Sequence, residues 1–122
     1  MSNGNILLFD NSGLQHKKKK KKKAAERSRI LEIDGQTGKL LHSYDSKNGL
    51  TFYSHLAGNQ QILSNGNILI NSSTEKRIIE YSKQHGVVRD LQNKKINRNY
   101  CMHSYPKEKI AKFIPSLTKK AQ

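Results

Sequence analysis

Histidine is the residue type in this sequence best suited to nucleophilic or acid–base chemistry near neutral pH. Five histidines are present, at positions 16, 42, 55, 85 and 103. No two of them have the i, i+4 spacing of a paired metal site, and Cys101 has no second thiol with which to share a zinc ion. The sequence therefore predicts neither a metal site nor a bound cofactor.

A run of lysines is the other feature with an obvious chemistry. It consists of Lys17, Lys18, Lys19, Lys20, Lys21, Lys22 and Lys23. The formal net charge is +14, yet residues 32–90 are close to balanced, so the charge belongs mainly to this run and to the C-terminal end. One hypothesis is a small basic protein whose solvated, flexible lysine loop binds nucleic acid or another polyanion. The alternative is a low-complexity insertion in a surface loop, since no aromatic residues are interleaved to stack on bases.

The elements that must position these residues are short strands. NILLFD, after the SNG of residues 2–4, is an apolar run that follows Asn-Gly and predicts a buried strand. SRILEID and KLLHSYD flank the turn sequence GQTG at residues 35–38 and predict a β-hairpin. NQQIL predicts a further short strand. Hydrophobic residues make up 34% of the chain, which predicts a modest core.

The same phrases recur in the same order. SNGNILLF at residues 2–9 is followed by SNGNILIN at residues 64–71, and RILE at residues 29–32 by RIIE at residues 77–80. A period of about 50 residues with four short strands is typical of a β-propeller blade. We predict an all-β fold with about two four-stranded antiparallel blades, over residues 2–63 and 64–105, and a basic C-terminal tail over residues 106–122. Two blades leave apolar faces uncovered, so we expect a longer polypeptide, assembly with other chains, or poor folding alone.

Several segments resemble, in order, the closing blades of the arylsulfotransferase family. They are NGNILLFDN (3–11), SRILEIDGQTGKLLHSY (28–44), FYSHLAGNQQILSNGNILI (52–70), KRIIEYSKQHGVV (76–88) and, more distantly, INRNYCMHSY (96–105). The order and spacing of these motifs carry the resemblance. The chain departs from the family pattern in the lysine run, in His42 where the family has tryptophan, and in His55 where the family has the proline of FYSP.

The resemblance implies a six-bladed propeller that transfers a sulfuryl group from an aryl sulfate to a phenolic acceptor through a sulfated histidine. In the family that histidine shortly precedes the NGNILLFDN strand, which here begins next to Met1. We therefore expect a fragment or degenerate member that is inactive alone, and we assign it no catalytic residue. The substrate-binding candidates are Asp10 and Asn11, at a strand end near the family's channel, and His55, in a loop that faces it. Turn capping by Asp10 and Asn11, and a plain surface role for His55, are the alternatives.

The resemblance also sets the expected partners. They are an aryl sulfate and a phenolic acceptor if the full propeller exists, and missing blades or other chains to close the ring. MSNGN has no basic n-region or apolar h-region, so these residues predict no secretory signal, although bacterial members of the family are often exported. No apolar run is long enough for a transmembrane segment. The compartment stays open.

Overall fold

The computed structural model describes residues 1, 3–11, 27–92, 94–95 and 103–108. Within them the chain forms seven β-strands and one 3-10 turn, Ser46–Asn48. The strands are β1 (Ile6–Asp10), β2 (Arg29–Ile33), β3 (Leu40–Tyr44), β4 (Asn59–Ile62), β5 (Ile68–Ser72), β6 (Arg77–Ser82) and β7 (Gly86–Gln92). No helix in this described part is long and apolar enough to cross a membrane.

The strands form two antiparallel sheets. The first sheet has the order β1-β2-β3 and the second the order β4-β5-β6-β7. The all-β prediction is confirmed, and so is the hairpin around GQTG, where β2 pairs with β3 through a bulge after Glu32. Among the described residues the first sheet has three strands rather than the predicted four. The division between blades that the sequence predicts falls between residues 63 and 64, so it assigns NQQIL to the first blade. In the structure NQQIL forms β4, which pairs with β5 of the second sheet.

Each SNGN phrase forms the same turn before its strand. The Asn5 N–H donates to Asn3 Oδ1 at 3.1 Å, and the Asn67 N–H donates to Asn65 Oδ1 at 3.0 Å. The glycine between them has a positive φ, +81° at Gly4, which a residue with a Cβ adopts only with strain. The Asn-Gly pair of each phrase is thus explained by local backbone geometry.

The second asparagine of each phrase also reaches the neighbouring strand. Asn5 Nδ2 donates to Glu32 Oε1 at 2.8 Å, and Asn67 Nδ2 donates to Glu80 Oε1 at 2.7 Å. The glutamates hold the same place in RILE and RIIE. In each sheet, the SNGN phrase is therefore joined to the RILE or RIIE strand by the same asparagine–glutamate hydrogen bond.

The two sheets pack face to face. Because side chains alternate along a strand, one face of each sheet points toward the other sheet. The inner face of the first sheet carries Leu7, Phe9, Ile30, Glu32 and Tyr44. The inner face of the second sheet carries Ile62, Ile68, Ile70, Ile79 and Tyr81. Leu50 and Phe52, from the segment that connects the sheets, complete the buried cluster.

The outer faces keep apolar side chains in contact with solvent. The outer face of the first sheet carries Ile6, Leu8, Leu31 and Ile33. The outer face of the second sheet carries Leu69, Ile78, Glu80 and Leu91. Leu8 is 43% exposed and Leu91 is 63% exposed. The pair of sheets therefore buries one side of each sheet and leaves apolar residues on the other.

Part of the C-terminal region lies beside the second sheet. The Ser104 N–H donates to Gln61 Oε1 at 2.7 Å, and Gln61 Nε2 donates to the Ser104 carbonyl at 2.8 Å. The predicted last strand falls partly on residues 96–102, which lie outside the described residues, as do residues 109–122 of the predicted tail and the whole lysine run.

Candidate functional site

The loop that carries His55 lies between Phe52 and β4, at the end of the sheets where β1 ends and β5 turns into β6. Its backbone is held at several points. The Tyr53 N–H donates to Glu75 Oε1 at 2.9 Å, and the His55 N–H donates to Thr74 Oγ1 at 2.8 Å. The loop is thus fixed by the β5–β6 turn.

Asn11 fixes the same loop from the first sheet. Its Nδ2 donates to the carbonyls of Ser54 and Ala57, each at 2.8 Å. Both amide hydrogens are therefore engaged with backbone, and the side chain positions the loop. Ala57 has a φ of +61°, a left-handed conformation that is uncommon for a residue with a Cβ.

Asp10 lies on the other face of β1. Its Oδ2 accepts from Arg29 Nε at 2.7 Å, and the two residues are directly opposite each other on β1 and β2. The structure therefore brings Asn11 to the His55 loop and directs Asp10 away from it, to an ion pair on the outer face of the first sheet.

The His55 side chain is exposed, with its ring 6.4 Å from that of half-buried Tyr53, measured between centroids. An exposed imidazole beside an aromatic ring can contact both the anionic and the aromatic part of a ligand. His42, which replaces an aromatic residue of the family pattern, is also exposed, and so are His85 and His103. Among the described histidines, none is buried.

A buried polar cluster between the two sheets was not predicted from the sequence. Glu32 is 3% exposed, and its Oε2 accepts from Tyr44 Oη at 2.7 Å and from Lys83 Nζ at 3.1 Å. Lys83 belongs to the β6–β7 turn, so this contact joins one sheet to the other. The available signal was a glutamate at an inward position of β2, where an apolar residue is the norm.

The cluster keeps its carboxylate ionised. Burial alone would raise the pKa of Glu32, but hydrogen bonds from Asn5, Tyr44 and Lys83, and the charge of Lys83, outweigh it and lower the pKa to about 2. Burial and the hydrogen bond to Glu32 raise the pKa of Tyr44. A carboxylate this acidic is a poor general base near neutral pH, so the cluster joins the sheets and is not suited to proton transfer.

No group of three His, Cys, Asp or Glu side chains is placed to hold a metal ion in the part of the chain that the structure describes. The lysines at positions 17–23 fall outside that part.

Comparison with known families decides the relationship. The model of the family described as Arylsulfotransferase (ASST) matches residues 1–94, which include both sheets and the His55 loop. The chain belongs to the arylsulfotransferase family. Comparisons with curated proteins and with solved structures give no match. The predicted resemblance to the arylsulfotransferase family is confirmed, and it covers most of the chain.

Proposed function

We propose that the two sheets are consecutive blades of an arylsulfotransferase propeller, which transfers a sulfuryl group from an aryl sulfate to a phenolic acceptor. The family match over residues 1–94 carries this proposal. Two further observations support it: the sheets pack face to face, and each makes the same contact between its SNGN phrase and its RIxE strand.

Within that propeller, we assign substrate contact to the His55 loop. His55 is exposed and its backbone is fixed by Thr74, so its imidazole is free to meet an oxygen of the sulfate or the phenol. The neighbouring Tyr53 ring can stack on the aryl group. Asn11 acts as a positioning residue, because its amide hydrogens hold the loop. Asp10, which pairs with Arg29, supports the sheet rather than the substrate.

The chain alone is proposed to be inactive. Covalent transfer through histidine needs an imidazole surrounded by donors that stabilise the sulfuryl oxygens. Among the described residues no buried histidine is placed with such donors, and His55 is exposed. Its proposed role is therefore binding and not nucleophilic attack.

The test combines turnover and binding. Purified chain is mixed with p-nitrophenyl sulfate and phenol, and p-nitrophenolate release is followed by absorbance; no release above the blank is expected. Binding of p-nitrophenyl sulfate is measured by NMR titration of the wild type, His55→Ala and His85→Ala. His85 is the matched control, because it is also exposed but lies in the β6–β7 turn, at the opposite end of the sheet.

We expect His55→Ala to weaken binding by at least roughly tenfold, the lower end for one hydrogen bond to a charged group, and His85→Ala to leave it unchanged. Equal binding by wild type and His55→Ala would overturn the assignment of His55. Heat-sensitive turnover by the pure chain would overturn the proposed inactivity.

A second candidate function is polyanion binding through Lys17–23. The residues that flank this segment lie together, since Ser28 Oγ donates to the Asn11 carbonyl at 3.3 Å, and Asn11 also holds the His55 loop. Asn11 and Ser28, which stand on either side of the lysine run in the sequence, therefore lie at the end of the sheets that carries His55. The test is binding of a single-stranded oligonucleotide as salt is raised. Steep loss of affinity with salt, and loss of binding when the run is replaced by Ser-Gly, are expected; salt-independent binding would contradict it.

A further inference from the structure

The two sheets are similar in sequence but pack through unlike faces. In the first sheet Leu8 lies opposite Leu31, and in the second sheet the corresponding pair is Ile70 and Ile79. The first pair belongs to an outer face and the second to the buried inner face. The face of the second sheet that packs inward therefore corresponds, in sequence, to the outer face of the first sheet.

The converse holds for the other two faces. Leu7 lies opposite Glu32 on the inner face of the first sheet, and the corresponding Leu69 lies opposite Glu80 on the outer face of the second. Likewise, half-exposed Ile78 of the second sheet corresponds to buried Ile30 of the first. The contact between the two sheets is therefore head to tail, with unlike faces in contact. In the part of the chain that the structure describes, neither sheet covers the outer face of the other, and Gln61 on the outer face of the second sheet bonds Ser104.

We propose that a second copy of this chain covers these outer faces. The outer face of the second sheet of one copy packs on the outer face of the first sheet of the next copy. The contact repeats the one inside the chain. On one side, Ile6, Leu8, Leu31 and Ile33 take the places of Ile68, Ile70, Ile79 and Tyr81. On the other side, Leu69, Ile78 and Leu91 take the places of Leu7, Ile30 and Tyr44. These replacements are apolar, whereas the polar Asn71 takes the place of Phe9.

The charges permit the same arrangement. Glu80 corresponds to Glu32, and its Oε2 lies 3.5 Å from Nε of the exposed Arg89, so the carboxylate on this face already has a partner. The net charge of +14 on each chain opposes association, so raising the salt concentration strengthens it by screening this repulsion. Copies joined in this way form a ring where the rotation closes and an open chain where it does not. The inference rests on the packing of the sheets and does not depend on the proposed sulfuryl transfer.

The test uses the full chain in sedimentation velocity and light scattering, over a range of protein concentrations and at about 0.5 M salt, where the Debye length is only a few Å. Species with masses that are whole multiples of 13.9 kDa are expected. Leu8→Asp blocks one face and Leu91→Asp blocks the other; both residues are solvent-exposed, so the fold of the single chain is kept and is checked by circular dichroism. Leu56→Asp is the matched control, because Leu56 is 68% exposed in a loop outside both faces.

A head-to-tail contact has a distinctive signature in mixtures. Each Asp variant alone associates roughly a hundredfold more weakly than wild type, while an equimolar mixture forms a 1:1 dimer through the two intact faces. Leu56→Asp associates like wild type. A monomeric wild type at high concentration, a mixture that stays monomeric, or strong self-association of either single variant would each overturn the proposal, the last because it indicates a like-to-like contact.

Discussion

Replacing Glu32 with glutamine removes the charge at the contact between the two sheets while nearly keeping the shape of the side chain. The carboxylate accepts hydrogen bonds from Asn5 Nδ2, Tyr44 Oη and Lys83 Nζ. A glutamine has one acceptor oxygen, so it cannot serve all three donors, and the ammonium of Lys83 loses its counter-charge. We expect Glu32→Gln to fold with the same strands but with a lower free energy of unfolding.

The pKa gives the size of the effect. A fall in the pKa of Glu32 from 4.5 to about 2 on folding corresponds to about 3 kcal/mol of stability near neutral pH, at 1.36 kcal/mol for each unit. Because the pKa of the folded state is the lower one, this stability is complete above about pH 4.5 and is lost as the pH falls toward 2. The difference in free energy of unfolding between the wild type and Glu32→Gln therefore disappears as the pH falls from about 4.5 to about 2.

Urea unfolding followed by circular dichroism measures this difference at pH 7, 5, 4 and 3. The variant is expected to be less stable by about 3 kcal/mol at pH 7, and the difference is expected to shrink steadily below about pH 4.5. Hydrogen bonds from neighbouring groups also lower the pKa of Asp34 and Asp90. Both proteins share these groups, so the difference between them isolates Glu32.

Glu80→Gln is the matched control. Glu80 has the same asparagine donor at the same place in the other sheet, but its cationic partner is the highly exposed Arg89. An exposed ion pair contributes at most about 1 kcal/mol, so this variant should lose little stability. A Glu32→Gln variant no weaker than Glu80→Gln, or a difference from wild type that does not depend on pH, would refute the account of the cluster.

Three further changes have defined outcomes in the same unfolding experiment. Gly58→Ala should cost more than about 2 kcal/mol, because its Cβ would lie 2.7 Å from both the Asn71 carbonyl oxygen and Phe9 Cζ, at a φ of +111°; a loss below 1 kcal/mol would contradict this. Ala57→Gly should raise stability by up to about 1 kcal/mol, since it relieves a left-handed backbone; a clear loss would show that the Ala57 methyl group is needed. Tyr44→Phe should cost about 1 to 3 kcal/mol by removing a donor from a buried carboxylate, and an unchanged midpoint would exclude that.

Much of the fold could be predicted from the sequence because its signals are local. The Asn-Gly turn before NILLFD and Gly38 of GQTG, with a φ of +71°, are backbone requirements, and the strands follow them in the structure. The assignment of NQQIL to a sheet is different. The sequence predicts that NQQIL is a strand but does not predict which strand it pairs with. In the structure it pairs with β5, because the edge of β5 is available.

The candidate site was less predictable for the same reason. Asp10 and Asn11 are neighbours in sequence and both are turn formers, but their side chains point in different directions at the end of β1. Asp10 pairs with Arg29, and Asn11 donates to the Ser54 carbonyl. The Glu32 cluster requires Lys83, which comes from the other sheet. Only the packing of the two sheets brings those charges together.

The buried Glu32 also makes the strand pairing selective. A slip of β2 by one residue exchanges the two sides of the strand, so Leu31 or Ile33 would come to face the ammonium of Lys83. The carboxylate would then point to the opposite side, away from Tyr44 and Lys83. A purely aliphatic β2 would tolerate such a slip far better, so this one acidic residue distinguishes the correct alignment from its nearest competitors.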